Sequence, residues 1–131
     1  MTNIVIDTNV IVSAALSPSG NPAKIVALIS NAEEIQVFCS AEILDEYKRV
    51  LAYERFHISK EAQHTIISAL MELGRQIEPS LSIFPMSDES DRTFYDTAKA
   101  SGAILITGNL RRYPAEPFIV TPAGFLQKIS N

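Results

Sequence analysis

The chain has 131 residues, 47% of them hydrophobic and 20% charged, and its formal net charge is −4. This length and balance are typical of one compact soluble domain that folds without disulfides or a structural metal, so we expect a single domain over residues 1–131. The one cysteine, Cys39, excludes an internal disulfide and a cysteine-based zinc site, and is interpreted as a reduced apolar filler. Because no signal peptide or membrane-length apolar run is visible, we expect a cytoplasmic protein.

Short apolar runs alternate with amphipathic segments along the chain. Continuous β-branched runs predict buried parallel strands, whereas apolar residues at i, i+3, i+4 and i+7 predict helices. The expected strands are residues 3–6, 35–38, 103–106 and 118–120, with a weak strand near 76–78. The expected helices are residues 10–16, 22 through 32, 40 to about 52, 59–74, 87 or 88 to about 101, and 122 through 129.

Capping residues predict where several of these helices begin and end. Ser40 and Ser59 are expected N-caps, and Gly74 and Gly102 are expected to end helices. The inward face of the helix after Ser59 is assigned to Ala62, Ile66, Ala69, Leu70 and Leu73. Apolar strands that alternate with helices predict an α/β fold, in which helices cover both faces of a parallel sheet.

Polar residues directly follow two of the expected strands. Asp7 comes after the first strand, and Thr107, Gly108 and Asn109 come after the strand at 103–106. Open parallel sheets bind ligands beyond the carboxyl ends of their strands. If the two strands are neighbours, these residues open into one crevice.

Glu46 is the acid of its helix that faces the body of the protein. It lies at the edge of the apolar stripe, whereas Glu42 and Asp45 point away from that stripe. Asp45 can pair with Arg49 at i+4.

Asp91 lies on the inward stripe of the next helix but one, with Phe94, Tyr95 and Ala98. Burying an unpaired carboxylate costs several kcal/mol or keeps it protonated, so Asp91 requires a partner. Asp96 lies off this stripe and is expected to face water.

Each of the three acids also has an ordinary structural interpretation. Asp7 can cap the helix that follows it, Glu46 can be a solvated rim residue, and Asp91 can stabilise a helix start. These interpretations leave unexplained why three acids are directed inward with no lysine or arginine evidently directed at them.

A divalent cation accounts for the three acids together. It relieves the repulsion between carboxylates that share a site, and ligands that are all oxygens select Mg²⁺ or Mn²⁺. Such a cation polarises a phosphoryl group and activates water, which predicts phosphodiester hydrolysis. The net charge of −4 opposes nucleic-acid binding, but the cation offsets the local acids and the basic residues cluster at 48–49, 55 and 111–112.

Three segments, taken in order, resemble the PIN-domain family. Residues 4–10, with the tripeptide D-T-N, resemble its opening strand, and residues 46–51 resemble the segment of its second acid. Residues 91–109 resemble its third acid and the following T-x-D/N turn. Each motif is weak alone, but the ordered set is specific and spans almost the whole chain. Within the family, the chain resembles the VapC-like toxins of prokaryotic toxin–antitoxin pairs.

The resemblance implies a three-layer α/β/α fold with a central parallel sheet, and a Mg²⁺- or Mn²⁺-dependent endoribonuclease acting on single-stranded RNA. The catalytic metal ligands that it implies are Asp7, Glu46 and Asp91. The polar residues that it places around them are Asn9, Thr107 and Asn109. Asn109 stands where many relatives have a fourth acid, so one metal ion is expected rather than two.

The resemblance also implies partners. A cognate antitoxin would cover the site, often by inserting a basic residue, and homodimers are common among relatives, although the sequence indicates no interface. Arg111 and Arg112 are candidates for contacts with RNA phosphates, and the alternative is that both lie in a solvated loop.

Other functions stay open at this point. A catalytically weak or inactive PIN fold would bind metal, RNA or protein without turnover, and Asn109 and the negative charge favour this alternative. A receiver domain is disfavoured because the first strand ends in Asp7 alone, and a haloacid-type phosphatase because Asn9 replaces the second aspartate that it needs. Whether Asp88 or Asp96 assists the site is also open.

Overall fold

Five parallel strands form the centre of the protein in a computed structural model that describes residues 1–83 and 85–130. In chain order they are β1 (Thr2–Ile6), β2 (Ile35–Cys39), β3 (Arg75–Gln76), β4 (Ile104–Ile106) and β5 (Ile119–Val120). Their order in the sheet is β3-β2-β1-β4-β5, and each neighbouring pair is parallel. Each predicted apolar run contains a strand, and the weak one near 76–78 lies at 75–76.

The helices of the described residues are α1 (Thr8–Leu16), α2 (Asn21–Asn31), α3 (Ala41–Leu51), α4 (Lys60–Leu73), α5 (Arg92–Ser101) and α6 (Pro122–Ile129). Helix α5 packs against β1, β2 and β4, whereas α2 packs against β2 and α6. The expected α/β/α architecture with a central parallel sheet is therefore confirmed. No helix in residues 1–83 or 85–130 is long and apolar enough to cross a membrane.

The predicted helix caps are formed. Ser40 Oγ accepts a hydrogen bond from the Ile43 NH at 3.1 Å, and Ser59 Oγ accepts one from the Ala62 NH at 3.1 Å. Gly102 ends α5 in the left-handed region with φ of 65°, which glycine adopts without the strain of a Cβ atom.

Two local predictions were wrong in detail. Helix α4 buries Ile67 and Leu70, whereas Leu73 is 41% exposed, because α4 packs on α3 and β2 along a narrower stripe than expected. The helix predicted from Ser87 or Asp88 begins with a 3-10 turn at Glu89–Asp91, and regular helix starts only at Arg92.

Strand β1 positions the functional end of the sheet. Its residues Ile4, Val5 and Ile6 are fully buried between the neighbouring strands β2 and β4. Ile6 is in register with Ile106, so β1 and β4 end at the same level. After β1 the chain continues to β2 on one side of β1, and β4 lies on the other side. The carboxyl ends of β1 and β4 are therefore the switch point of the sheet. Cys39, at the end of β2, is 3% exposed and packs in the core, as expected of an apolar filler.

Candidate active site

Asp7 is a buried carboxylate at the carboxyl end of β1, where it is 1% exposed. Its Oδ2 accepts hydrogen bonds from Thr107 Oγ1 at 2.7 Å and from the Tyr113 hydroxyl at 3.0 Å. The side chain does not cap α1, so the capping interpretation of Asp7 was wrong. Within residues 1–83 and 85–130 Asp7 has no ion pair, and Oδ1 accepts no hydrogen bond. Two neutral donors therefore hold the Asp7 carboxylate, and the positive charge that acts on it, that of Arg112, forms no ion pair with it.

Tyr113 was missed by the sequence analysis. It follows the basic pair at 111–112 in a loop without periodicity, so nothing in the pattern identified it. Burial, and then the nearby carboxylates of Asp7 and Asp91, raise the pKa of Tyr113 far above its ordinary value. The hydroxyl consequently keeps its proton and acts as a donor to Asp7.

Asp91 is the second buried acid, and it lies at the junction of the 3-10 turn and α5 with 1% exposure. Arg112 forms a bidentate ion pair with it: Nε donates to Oδ2 at 3.0 Å, and Nη2 donates to Oδ1. The expectation that no basic residue is directed at the acids was therefore wrong. Arg112 lies 21 residues away in the loop after β4, and only the fold brings it to Asp91.

The ion pair does not fully compensate Asp91. Burial raises the pKa of Asp91 to about 6, Arg112 opposes this shift, and the nearby charges of Asp7 and Asp88 add to it. The contribution of Asp7 shows that the two buried carboxylates share one electrostatic environment.

Glu46 is half-buried on α3, with 18% of its side chain exposed. Its Oε2 accepts a hydrogen bond from the Thr8 hydroxyl, which belongs to the D-T-N segment. Arg49 lies 3.8 Å from its Oε1 at i+3, so the predicted pair of Asp45 with Arg49 was wrong. Asp45 itself is exposed, as predicted.

Tyr47 ties α3 to the end of β1. It is fully buried, and its hydroxyl donates to the carbonyl oxygen of Ile6. Burial, then Cys39, Asp7 and Glu46, raise its pKa well above the ordinary value. The charges of Asp7 and Glu46 therefore both reach the Tyr47 hydroxyl, which lies at the carboxyl end of β1.

Asn9 and Asn109 arrange the loop after β4 rather than contacting a carboxylate. Asn9 Oδ1 accepts a hydrogen bond from the Gly108 NH at 3.0 Å. Asn109 is exposed; its NH donates to Thr107 Oγ1 at 3.1 Å, and its Oδ1 accepts from the Arg111 NH at 3.2 Å. These bonds orient the loop that carries Thr107 and leads to Arg112.

Of the two further acids considered from the sequence, Asp88 borders the cleft that Glu46 lines and Asp96 does not. Asp88 is exposed, and its Oδ1 accepts a hydrogen bond from the Ser90 NH at 2.9 Å. Asp96 was predicted to face water, but it is 4% exposed and accepts a hydrogen bond from the Ser82 NH at 3.0 Å. That prediction was wrong because the segment before α5 folds over this side of the helix.

A cleft of about 690 Å³ is bordered by Glu46 and Arg112, whereas Asp7 and Asp91 are not among the residues that line it. Its acids are Glu46 and Asp88, and its basic residues are Arg49, Arg55 and Arg112. As they stand, the acids, histidines and cysteines of the described ranges include no group of three or more arranged to hold a metal ion.

The donor set nevertheless fits a hard divalent cation. Every donor is an oxygen, Asp7 and Asp91 act on each other electrostatically, and Asp7 Oδ1 carries no hydrogen bond from a described residue. Arg112 supplies the positive charge at Asp91 in this conformation. A cation bound by both aspartates would take over that role.

Comparisons with known proteins identify the family of the chain. Residues 3–111 match the family model described as PIN domain. The chain is 36% identical over 109 residues to the uncharacterized protein MJ1680 of Methanocaldococcus jannaschii. The matched segment spans 81% of this chain and 70% of that protein.

Two solved structures share the fold. PAE2754 from Pyrobaculum aerophilum has a TM-score of 0.64 at 13% identity and covers 98% of this chain and 90% of its own. VapBC2 from Rickettsia felis, in a structure bound to a DNA fragment from the VapBC2 promoter, has a TM-score of 0.61 at 16% identity. The match covers 92% of this chain and 97% of that chain. Because the family model spans most of the chain, the protein belongs to the PIN-domain family, whose members are generally nucleases.

Proposed function

We propose that this protein is a divalent-metal-dependent endoribonuclease that cleaves single-stranded RNA as the toxin of a toxin–antitoxin pair. The observation that carries the proposal is Asp7, a buried carboxylate at the switch point of the sheet, beside Asp91, with neutral donors and no ion pair from a described residue. A carboxylate in this position is costly unless a cation compensates its charge.

The proposed metal ligands are Asp7 and Asp91, with Glu46 at the adjoining wall of the cleft. Mg²⁺ or Mn²⁺ bound there would polarise the phosphodiester and activate the attacking water. Thr107 and Tyr113 hold Oδ2 of Asp7 and leave Oδ1 for the ion.

The surrounding polar residues have positioning roles in this proposal. Thr8 holds Glu46 in the cleft, and Asn9 fixes Gly108, which keeps the ends of β1 and β4 together. Asn109 shapes the same loop and supplies no charge, so we expect one metal ion. Arg111 is exposed beside this loop and stays a candidate for phosphate contact.

An antitoxin partner belongs to the same proposal. The similar fold from Rickettsia felis occurs in VapBC2 bound to DNA from their promoter, which supports a search for a second protein encoded beside this one. The Arg112–Asp91 pair supports it in another way, because Arg112 lines the cleft while its guanidinium pairs with Asp91. A basic residue of a partner protein would use the same chemistry.

RNA cleavage tests the proposal. Labelled single-stranded RNA is incubated with the purified protein in EDTA and in Mn²⁺, and the products are separated by size. We expect cleavage only with Mn²⁺, and a loss of at least 100-fold in Asp7→Asn, since removing a charged ligand weakens both metal binding and chemistry.

A matched control is Asp45→Asn, which changes an exposed acid of α3 that makes no side-chain hydrogen bond or ion pair within the described chain. This variant should cleave as the parent does. Cleavage in EDTA, or an Asp7→Asn variant as active as the parent, would overturn the proposal.

The second candidate is a PIN fold that binds metal, RNA or a protein without turnover. The ion pair of Arg112 with Asp91 favours it, because the guanidinium occupies both oxygens of a proposed ligand. Binding of Mn²⁺ measured by calorimetry, with no RNA cleavage at any metal concentration, would support this candidate against the first.

A further inference from the structure

The turn that follows α3 carries an exposed cluster of two aromatic rings and a guanidinium. The rings of Tyr53 and Phe56 are stacked, with centroids 6.1 Å apart and planes inclined by 21°. The Cζ atom of Arg55 lies 4.9 Å from each ring centroid. Tyr53 is 37% exposed and Arg55 is exposed, whereas Phe56 packs partly against the core. We refer to Tyr53, Arg55 and Phe56 as the aromatic platform.

The backbone holds the platform in place. The Phe56 NH donates to the Tyr53 carbonyl at 3.1 Å, and the His57 NH donates to the Glu54 carbonyl at 3.0 Å. His57 closes the turn in the left-handed conformation, with φ of 53°. Since the turn is already ordered, a ligand that binds the rings would lose little affinity to loop ordering.

The platform lines the same cleft as Glu46 of the proposed active site. Its three residues border the cleft together with Glu46 and Arg49. Helix α3 rises about 7.5 Å from Glu46 to its end at Leu51, and Tyr53 follows two residues later. A nucleotide next to a phosphate bound through a cation at Glu46 would therefore come close to the Tyr53 ring.

The charges of the cleft favour nucleic acid over an apolar peptide. Three arginines, Arg49, Arg55 and Arg112, border it against two acids, Glu46 and Asp88, although the whole chain carries a net charge of −4. A groove with positive side chains and exposed aromatic rings is the usual arrangement that binds single strands, because phosphates meet the cations and bases stack on the rings.

We propose that the aromatic platform stacks a base of single-stranded RNA adjacent to the phosphate that is cleaved. The inference rests on the proposed function and adds how the substrate is held. Stacking tolerates different bases, so the platform orients the strand without reading a sequence. This assigns substrate contacts to residues that the sequence analysis passed over in favour of Arg111 and Arg112.

Binding of a labelled single-stranded RNA, followed by fluorescence anisotropy in EDTA, tests the platform separately from cleavage. Stacking on an aromatic side chain is worth about 1–3 kcal/mol per base, so Tyr53→Ala should weaken binding by about 5- to 150-fold. Tyr53→Phe keeps the ring and should bind as the parent does. Met71→Ala, which truncates an exposed side chain of α4 outside the cleft, serves as the control for general surface effects. Thermal unfolding of each variant identifies any that fails to fold.

A scan of RNAs with single abasic sites provides the sharper readout. At the position that stacks on Tyr53, removal of the base should weaken binding to the parent but have little further effect on Tyr53→Ala. Such non-additivity is the signature of a direct contact.

Unchanged RNA affinity in folded Tyr53→Ala would overturn the inference. Additive effects at every abasic position would also overturn it. RNA that binds through Tyr53 but is not cleaved in Mn²⁺ would support the platform and contradict the proposed function. Cleavage by Tyr53→Ala with the parent's KM would support the proposed function and contradict the role of the platform.

Discussion

Asp7 and Asp91 lie at the same end of the sheet and are compensated differently. Asp7 is held by the hydroxyls of Thr107 and Tyr113, whereas both oxygens of Asp91 accept from Arg112. The first arrangement leaves Asp7 without a direct ion pair from the described residues, although the charge of Arg112 acts on it, and the second pairs Asp91 directly. A divalent cation would therefore gain attraction from Asp7 but would have to displace Arg112 from Asp91.

The first prediction concerns Arg112→Gln. Loss of the guanidinium frees Asp91, and since charge-assisted hydrogen bonds are worth about 1.5–3 kcal/mol, Mn²⁺ should bind about tenfold more tightly or better in calorimetry. The metal-free variant should be less stable by about 1–3 kcal/mol in urea denaturation, because Asp91 is left buried without its partner. Arg111→Gln, an exposed neighbour without a side-chain partner in the described chain, should change neither value. Weaker Mn²⁺ binding in Arg112→Gln would mean that the arginine assists the metal instead of competing with it.

The second prediction concerns the pH dependence of the metal-free protein. Burial raises the pKa of Asp91 from an ordinary 3.8 to about 6, so the folded chain binds this proton more tightly than the unfolded chain. The free energy of unfolding should therefore fall as pH rises from about 4 to about 6, relative to a variant without the carboxyl. Urea denaturation in EDTA across this range should show the slope in the parent and not in Asp91→Asn. Identical pH profiles for the two proteins would contradict the raised pKa.

Residue-scale prediction from sequence depended on regular structure. Asp7 was identified by its place after a strand, and Asp91 by its place on an apolar stripe. Glu46, at a stripe edge, was harder to assign, and the structure finds it half-buried. Arg112 and Tyr113 could not be assigned to their partners, because loop residues have no periodicity and these contacts cross 21 and 106 residues of chain.

At the scale of elements, α3 joins the proposed metal site to the aromatic platform. Ser40 caps its first turn, Tyr47 anchors its middle to β1, and Tyr53 follows its end. Ser40 Oγ also lies 3.3 Å from the hydroxyl of Thr93 on α5, the helix that follows Asp91. The position of Glu46 relative to Asp91 therefore depends on this cap.

The third prediction compares two caps of the same chemistry. Ser40→Ala and Ser59→Ala should each lower the free energy of unfolding by about 1 kcal/mol, because each removes an N-cap acceptor. Only Ser40→Ala should also lower RNA cleavage in folded protein, since Ser40 links α3 to α5 whereas Ser59 caps α4. Denaturation and cleavage rates measured on both variants check this, and equal loss of activity in the two would show that the effect is one of stability alone.

The ends of elements were less predictable than their existence. The caps at Ser40 and Ser59 follow from a hydroxyl directly before an apolar stripe. The 3-10 turn at Glu89–Asp91 was not foreseen, because its acids also suit the first turn of a regular helix. The burial of Asp96 depends on the preceding segment folding back over α5, which no local pattern indicates.

For the whole molecule, strand order decides where the site forms. The sequence predicted parallel strands, and it placed Asp7 and Thr107 together only if β1 and β4 were neighbours. The observed register of Ile6 with Ile106 meets that condition. The order itself could not be derived from the apolar runs, since each buried strand has the same pattern, and it is known only from the structure.

The fourth prediction is that the chain unfolds as one unit, in keeping with a single domain over residues 1–131. The same buried strands β1, β2 and β4 support helix α5, so these elements should not melt separately. Thermal unfolding followed by circular dichroism and by tyrosine fluorescence should give coincident transitions. Two separated transitions would contradict a single cooperative domain.

The central claim is that Asp7 and Asp91 bind a divalent cation at the end of β1. Crystals grown with Mn²⁺ and measured for anomalous scattering test this directly, because the metal identifies its own position. We expect an anomalous peak within bonding distance of Asp7 Oδ1 and an oxygen of Asp91, with the guanidinium of Arg112 moved off that carboxylate. An absent peak at saturating Mn²⁺, or a peak that does not contact Asp7, would contradict it.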